Sequence, residues 1–302
     1  MFREVISSTT YALLGIFVLL LLPAPSTPAA QNGPAKAPTC QAAGALVGIP
    51  ELTEASGLAA SKRLPGRFWA HNDSGEPVLI ALDSRGTVLG QVRLPGAQVD
   101  DWEAVAVGSC PAGSCIYVGD IGDNGARRRD ITIYRVPEPA DLPGSVGNAE
   151  VFRARYPDGA HDAEALLVTP RGDILIVTKG EAEPVGLYRL PPDASPGGTA
   201  TLQSIGKPRQ SVKPADDGQI TDGAVSPSGA WVALRSNTTI FLYRTEDLMS
   251  GNWMEASRIS LKALKEPQGE GVAFGDDKTL YVVGEGGGIS GAGTFGRLTC
   301  TF

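Results

Sequence analysis

The chain has 302 residues, of which 42% are hydrophobic and 20% charged, with a formal net charge of -7. That length allows one or two domains. No basic cluster appears, which removes nucleic acid as an expected partner, while 38 Gly and 23 Pro fit many short strands joined by turns.

The N-terminus reads as a secretory signal. Arg3 precedes an apolar run from Tyr11 to Leu22, and the small residues Ser26, Thr27, Ala29 and Ala30 follow as a cleavage zone. A run of about twelve residues is short of the ~20 that span a bilayer; an uncleaved anchor is the rival reading. No Cys lies close behind the run, which argues against a lipoprotein anchor. The expected division is residues 1–30 as signal peptide, 31–43 as a disordered Pro/Ala-rich spacer, and 44–302 as one domain.

A short phrase then recurs. It reads Ala55-Ser56-Gly57-Leu58-Ala59, Asp101-Trp102-Glu103-Ala104-Val105, Asp162-Ala163-Glu164-Ala165-Leu166, Thr221-Asp222-Gly223-Ala224-Val225 and Gly269-Glu270-Gly271-Val272-Ala273. The copies stand about 47 to 61 residues apart, a period that points to a propeller or another repeat array. After each copy come turn residues and a second strand-like run, as in Pro111-Ala112-Gly113 before Cys115–Asp120. This is a hairpin signature. Third strands are expected at Val78–Leu82, Ile131–Val136, Gly186–Leu190, Thr239–Arg244 and Gly293–Leu298, and outer strands at Gly86–Val92 and Ala149–Arg153. No long amphipathic helix is visible after the signal. The expected fold is all-β: a β-propeller of antiparallel four-stranded blades, five in number, with six compatible with the longer repeats between Glu103 and Asp222. The strand-like Ala45–Ile49 is placed to complete the last blade.

Four cysteines fit an exported, oxidised protein. Cys110 and Cys115 flank a hairpin turn, which predicts a local disulfide. Cys40 and Cys300 lie near the two ends, which a closing ring brings together. The alternatives are free thiols or metal ligands.

Each copy is expected to open the innermost strand of a blade, so Ser56, Glu103, Glu164, Asp222 and Glu270 converge on one channel. Several carboxylates aimed at one point cannot all stay ionised and unpaired. One answer is a hard cation; calcium, with six to eight oxygen ligands, suits an exported protein. The other is structural pairing, with Lys179 and Arg235 on Glu164 and Asp222. The second strands add His71, Asp120 and Glu285, with Asp123 and Asn124 just beyond. His71 and His161 are the ordinary candidates for acid–base work near neutral pH. Asp120 and Asp123 are further candidate bases, and Lys179 and Arg235 candidate anion holders. Gly119–Asn124 reads either as a calcium loop or as a plain turn. No Gly-x-Ser-x-Gly elbow, Walker loop, dinucleotide fingerprint or His-Glu-x-x-His appears.

The order Ser, Glu, Glu, a smaller polar residue, then Glu resembles the central ring of the calcium-activated nucleotidases, secreted apyrases with a five-bladed propeller. Asp101–Val107 followed by Ile116–Gly119, Val232–Ser236 and Gly269–Phe274 carry the likeness. The resemblance implies calcium in the channel. Two departures stand: Asp222 replaces a hydroxyl residue, and the longer nucleotide-contacting segments are not recognisable. The phrases are also similar to those of exported propellers of the esterase-like phytase type. The functional expectation is an exported calcium-centred propeller. It acts as a metal-dependent hydrolase of phosphate or other esters at the channel mouth, or as a non-catalytic extracytoplasmic ligand- or protein-binding scaffold. The expected partner is a small anionic substrate or ligand, with no membrane span once the signal is cleaved, and the chain is expected to be monomeric.

Overall fold

A computed structural model describes Met1 and residues 37–142, 146–180, 184–206, 219–286 and 291–302. The expected signal peptide and the start of the expected spacer lie outside the described residues. Residues 36–302 form one compact unit.

Every second residue of a strand faces the same way, and in the inner and second strands both faces are buried between neighbouring blades. Strands β1 (Thr39–Ala42) and β2 (Val47–Ile49) belong to the sheet of the last blade. Blade one itself is β3 (Ala55–Ala60), β4 (Arg67–Asn72), β5 (Val78–Asp83) and β6 (Val88–Arg93). Blade two is β7 (Trp102–Cys110), β8 (Gly113–Asp120), β9 (Ile131–Pro137) and β10 (Glu150–Arg155). Blade three is β11 (Ala163–Val168), β12 (Ile174–Thr178), β13 (Leu187–Arg189) and β15 (Gln203–Gly206). The intervening β14 (Thr199–Thr201) crosses back to pair in parallel with β10 of blade two. Blade four is β16 (Ile220–Val225), β17 (Trp231–Ser236), β18 (Thr239–Arg244) and β19 (Glu255–Ser260). Blade five is β20 (Gln268–Asp276), β21 (Thr279–Glu285) and β22 (Gly293–Thr301).

The fold is therefore an all-β ring of five antiparallel four-stranded blades. The innermost strands β3, β7, β11, β16 and β20 each touch the next, and β20 touches β3, closing the ring. Five apolar cores result, one between each pair of adjacent blades. Strand β7 shows how: Val105 and Val107 pack toward blade one, Ala104 and Ala106 toward blade three. This explains why inner and second strands read as near-continuous apolar runs.

The fifth blade takes its outer strand from the beginning of the domain. Cys40 pairs in register with Cys300, and Val47–Ile49 with Phe295–Gly293. Disulfides Cys40–Cys300 and Cys110–Cys115 are both formed. The last residues of the expected spacer are thus part of the sheet, because β22 offers them an open edge and the disulfide fixes them there. The one α-helix among the described residues, Thr245–Met249, is short, and no described helix is long and apolar enough to cross a membrane.

Candidate functional site

The start of each inner strand carries a backbone irregularity. Pairing shifts between Ala55 and Leu58 in β3, Trp102 and Ala104 in β7, and Ala163 and Ala165 in β11. It shifts again between Ile220 and Asp222 in β16, and Gly269 and Gly271 in β20. An extra residue on one strand is a β-bulge, which bends the strand and re-aims the inserted side chain. The bulged positions are Ser56 with Gly57, then Glu103, Glu164, Thr221 and Glu270. One polar residue per blade is thereby turned toward the channel end.

The blade-four member of this series is Thr221, not Asp222 as expected. Two hydroxyls make the same inter-blade bond. Ser56 Oγ donates to the Glu103 carbonyl at 3.0 Å, and Thr221 Oγ1 to the Glu270 carbonyl at 2.9 Å. Ser56 Oγ also lies 3.0 Å from Glu103 Oε2. Asp222 has another task. It is fully buried, and its Oδ2 accepts the Val272 amide at 2.8 Å and the Leu58 amide at 3.2 Å. It thereby ties blade four to blades five and one across the channel.

Among the described residues, the ring has little compensating charge. Lys179 Nζ lies 2.5 Å from Glu164 Oε1 and 3.3 Å from Asp162 Oδ2, and donates to Asn124 Oδ1 at 3.4 Å. Gln268 Nε2 donates to Glu270 Oε1 at 2.8 Å. Burial, then the charges of Glu164 and Asp101, push the Glu103 carboxyl up to about 11. Burial raises Glu270 to about 8, against the Gln268 bond and with Glu164 adding repulsion. Burial also raises Glu164 to about 7, with Lys179 opposing. Burial opposes charge on Lys179, yet Glu164 and Asp162 hold its ammonium above the ordinary range. Burial, partly offset by the amides it accepts, raises Asp222 well above the usual carboxylate range. The ring by itself holds protons near neutral pH. Among the described residues, no three His, Cys, Asp or Glu side chains stand close enough together to hold a metal ion.

The other expected site residues fall into structural roles. Asp120 is buried, pairs with Arg128 Nη1 at 2.8 Å and accepts the amides of Asp100 and Asp101. Asp123 accepts the Arg128 amide at 2.6 Å, while its own amide donates to Asp162 at 2.7 Å. These two hold the loop after β8, which is a turn. Arg235 is fully buried. It donates to the carbonyls of Gly271 at 2.6 Å and Val283 at 3.0 Å and pairs with Glu266 at 2.6 Å, not with Asp222. His71 is fully buried edge-on to Trp102, and burial pushes it down to about 4, so the ring is neutral. Only Lys179 stands among the ring carboxyls.

Sequence reasoning missed a neighbouring cluster. His161 Nε2 lies 3.0 Å from Asp158 Oδ1 and 3.1 Å from the Tyr188 hydroxyl, and stacks edge-on to Tyr156 at 4.9 Å between ring centroids. The sequence marks His161 only as a candidate for acid–base work. Its partners come from different blades, Tyr156 just after β10 of blade two and Tyr188 on β13 of blade three, and only the blade two–blade three packing brings them together.

Fold and site together define a five-bladed β-propeller whose channel carries a ring of buried carboxyls at one end. No family model matches the chain, and no curated protein matches it. Among solved structures, the PQQ-bound aldose sugar dehydrogenase of Streptomyces coelicolor is similar over 89% of this chain and 99% of that chain, with TM-score 0.51 and 12% identity. That likeness is one of fold. The hydrazine synthase of Kuenenia stuttgartiensis aligns over 78% of this chain and 56% of that chain, with TM-score 0.39 and 14% identity. The sugar dehydrogenase is not a nucleotidase or a phytase, and the resemblance to those families rests on the sequence phrases.

Proposed function

We propose that the protein is an exported propeller whose carboxyl ring takes up a hard divalent cation, calcium by its donors, and that it hydrolyses a small anionic ester at that mouth. The observation that carries this reading is the repeated bulge. Five inner strands each spend an irregularity on turning one oxygen-bearing side chain to the same end: Ser56, Glu103, Glu164, Thr221 and Glu270. The hydroxyl of Thr221 also supplies the residue type that the nucleotidase resemblance implies there. Hard oxygen donors without sulfur or imidazole suit calcium, and carboxyls held protonated by burial and mutual repulsion would ionise against it. Bound calcium would supply polarisation of an ester or phosphoryl oxygen. Lys179 is the side chain able to hold the anionic group. Two disulfides are consistent with an exported location.

The second reading, a scaffold with a structural cation, draws on the structural commitments of His71, Asp120, Asp123 and Arg235. One series of measurements separates the two. Calcium at about 100 times its dissociation constant stabilises by ~2.7 kcal/mol, roughly 5–11 °C in Tm for a chain of this size. Glu103→Gln and Glu270→Gln should remove that shift. Identical melting in calcium and in chelator removes the cation from both readings. Turnover of nucleoside diphosphates, phosphate esters or lactones that needs calcium and falls with Lys179→Met supports the hydrolase; calcium binding without turnover supports the scaffold.

A further inference from the structure

The channel has a second compartment that the carboxyl ring does not share. Beyond Asp222 the inner strands line a cavity of about 440 Å3. Its wall includes Ala60, Val107, Val168, Ala224 and Phe274, one residue from each inner strand. Leu58 and Gly223 also line it. Since Asp222 precedes Gly223 and bonds the Leu58 amide, the bond marks the inner end of the cavity. None of Ser56, Glu103, Glu164, Thr221 or Glu270 lines it. At the far end the wall consists of the turns between first and second strands, where Lys62, Pro65, Pro170 and Pro227 are exposed, and of exposed Gly275 near the end of β20. The cavity therefore opens to solvent away from the ring.

Its chemistry is two-part. The wall is apolar, and its two hydroxyls are already engaged: Ser61 Oγ accepts the Leu64 amide at 2.8 Å and Ser226 Oγ the Trp231 amide at 3.1 Å. The charged residue on the wall is Lys62. It makes no hydrogen bond or ion pair within 4.0 Å among the described residues, and its nearest counter-charge, Glu138, is held by Trp69 Nε1, Ser114 Oγ and the Arg63 amide. A space of this volume holds roughly 15 waters at ~30 Å3 each, whose partners on the wall are the free backbone edges of the inner strands rather than side chains. Water in such a place is readily displaced by an apolar chain. The depth, from Leu58 to Ala60 and from Gly223 to Pro227, is about 7–13 Å at ~3.3 Å per residue.

We propose that this half of the channel binds a single-chain amphiphile with an anionic head, its tail in the tube and its carboxylate on Lys62. The site is independent of the cation reading. The test is titration of the full chain with decanoate, decanol and decyltrimethylammonium, below their aggregation concentrations, by calorimetry. Saturable one-to-one binding of decanoate is expected, about tenfold tighter than decyltrimethylammonium. Lys62→Gln should reduce decanoate affinity about fivefold or more and leave decanol unchanged. Ala60→Trp should abolish both, and Ala224→Leu, a smaller obstruction, should weaken both; melting curves establish that each variant is folded. Absence of saturable decanoate binding to the wild-type chain overturns the proposal, as does binding that folded Ala60→Trp or Ala224→Leu leaves unaltered. An equal response of decanoate and decanol to Lys62→Gln overturns the assignment of the head.

Discussion

Replacing Arg235 decides between two roles for the same residue. As an anion holder at a mouth, it could be removed at little cost to folding. As the structure has it, Arg235→Met leaves the Glu266 carboxylate, 3% exposed, without its cation, and strips donors from the Gly271 and Val283 carbonyls. There is no slack to absorb the change: a Cβ on Gly269 would lie 2.0 Å from Arg235 Nη2. Breaking a buried ion pair by deleting one partner costs about 3–5 kcal/mol. At roughly 2–4 °C per kcal/mol for a domain of this size, Tm should fall by about 6–20 °C. Urea unfolding followed by tryptophan fluorescence gives the free energy, and Arg235→Met/Glu266→Gln should recover part of it, since no buried charge is then left alone. A single variant that unfolds within about 1 kcal/mol of wild type, or a double variant no better than the single, would refute the buried-pair argument.

Three further outcomes follow from the same geometry. Asp222→Asn should be nearly neutral in stability and keep the calcium response, because a neutral acceptor still serves the Leu58 and Val272 amides, whereas Asp222→Ala should cost about 2–4 kcal/mol; a calcium response lost in Asp222→Asn would return that residue to the ring. His71 is held at about 4 by burial, below the ~6.5 of an unfolded chain, so its contribution is complete above pH 6.5 and is lost as pH falls through 4. The stability gap between wild type and His71→Gln should therefore narrow on acidification from pH 7.5 to 4, and a constant gap contradicts the assignment. Cys40→Ser/Cys300→Ser should cost about 3–5 kcal/mol and Cys110→Ser/Cys115→Ser about 2, since the loops close over separations of 260 and 5 residues; equal losses by denaturant titration would show that loop length does not set the difference.

The architecture was legible because a propeller repeats. The recurring phrase marked five inner strands, and Pro and Gly marked the hairpins after them. Outer strands were harder: Gln203–Gly206 and Glu255–Ser260 are half wet and lack apolar alternation, and the parallel pairing of Thr199–Thr201 with blade two has no local signal. Of the bulged positions, Ser56, Glu103, Glu164 and Glu270 coincide with residues marked from the recurring phrase. Thr221 does not, because one inserted residue shifts which side chain faces the channel, and a bulge leaves no composition mark. Arg235 and His71 look like functional residues in a sequence because charge and imidazole are rare in strands. What the sequence could not display was Glu266 waiting for the arginine, or the closed interface around the histidine.

The way the ring is fastened has a consequence for how the molecule is made. Strands β1 and β2 find their partner only in β22, some 250 residues later. Until that last strand is available, the fifth blade has an unpaired edge and the core between blades five and one lacks Phe295. The nascent chain can form hairpins early but cannot complete the ring until β22 has emerged. Such long-range closure folds slowly, and the first strands must wait, extended and able to pair wrongly, for the whole length to emerge. Oxidation of Cys40 and Cys300, 260 residues apart, is in that order of events a late step that latches a finished circle.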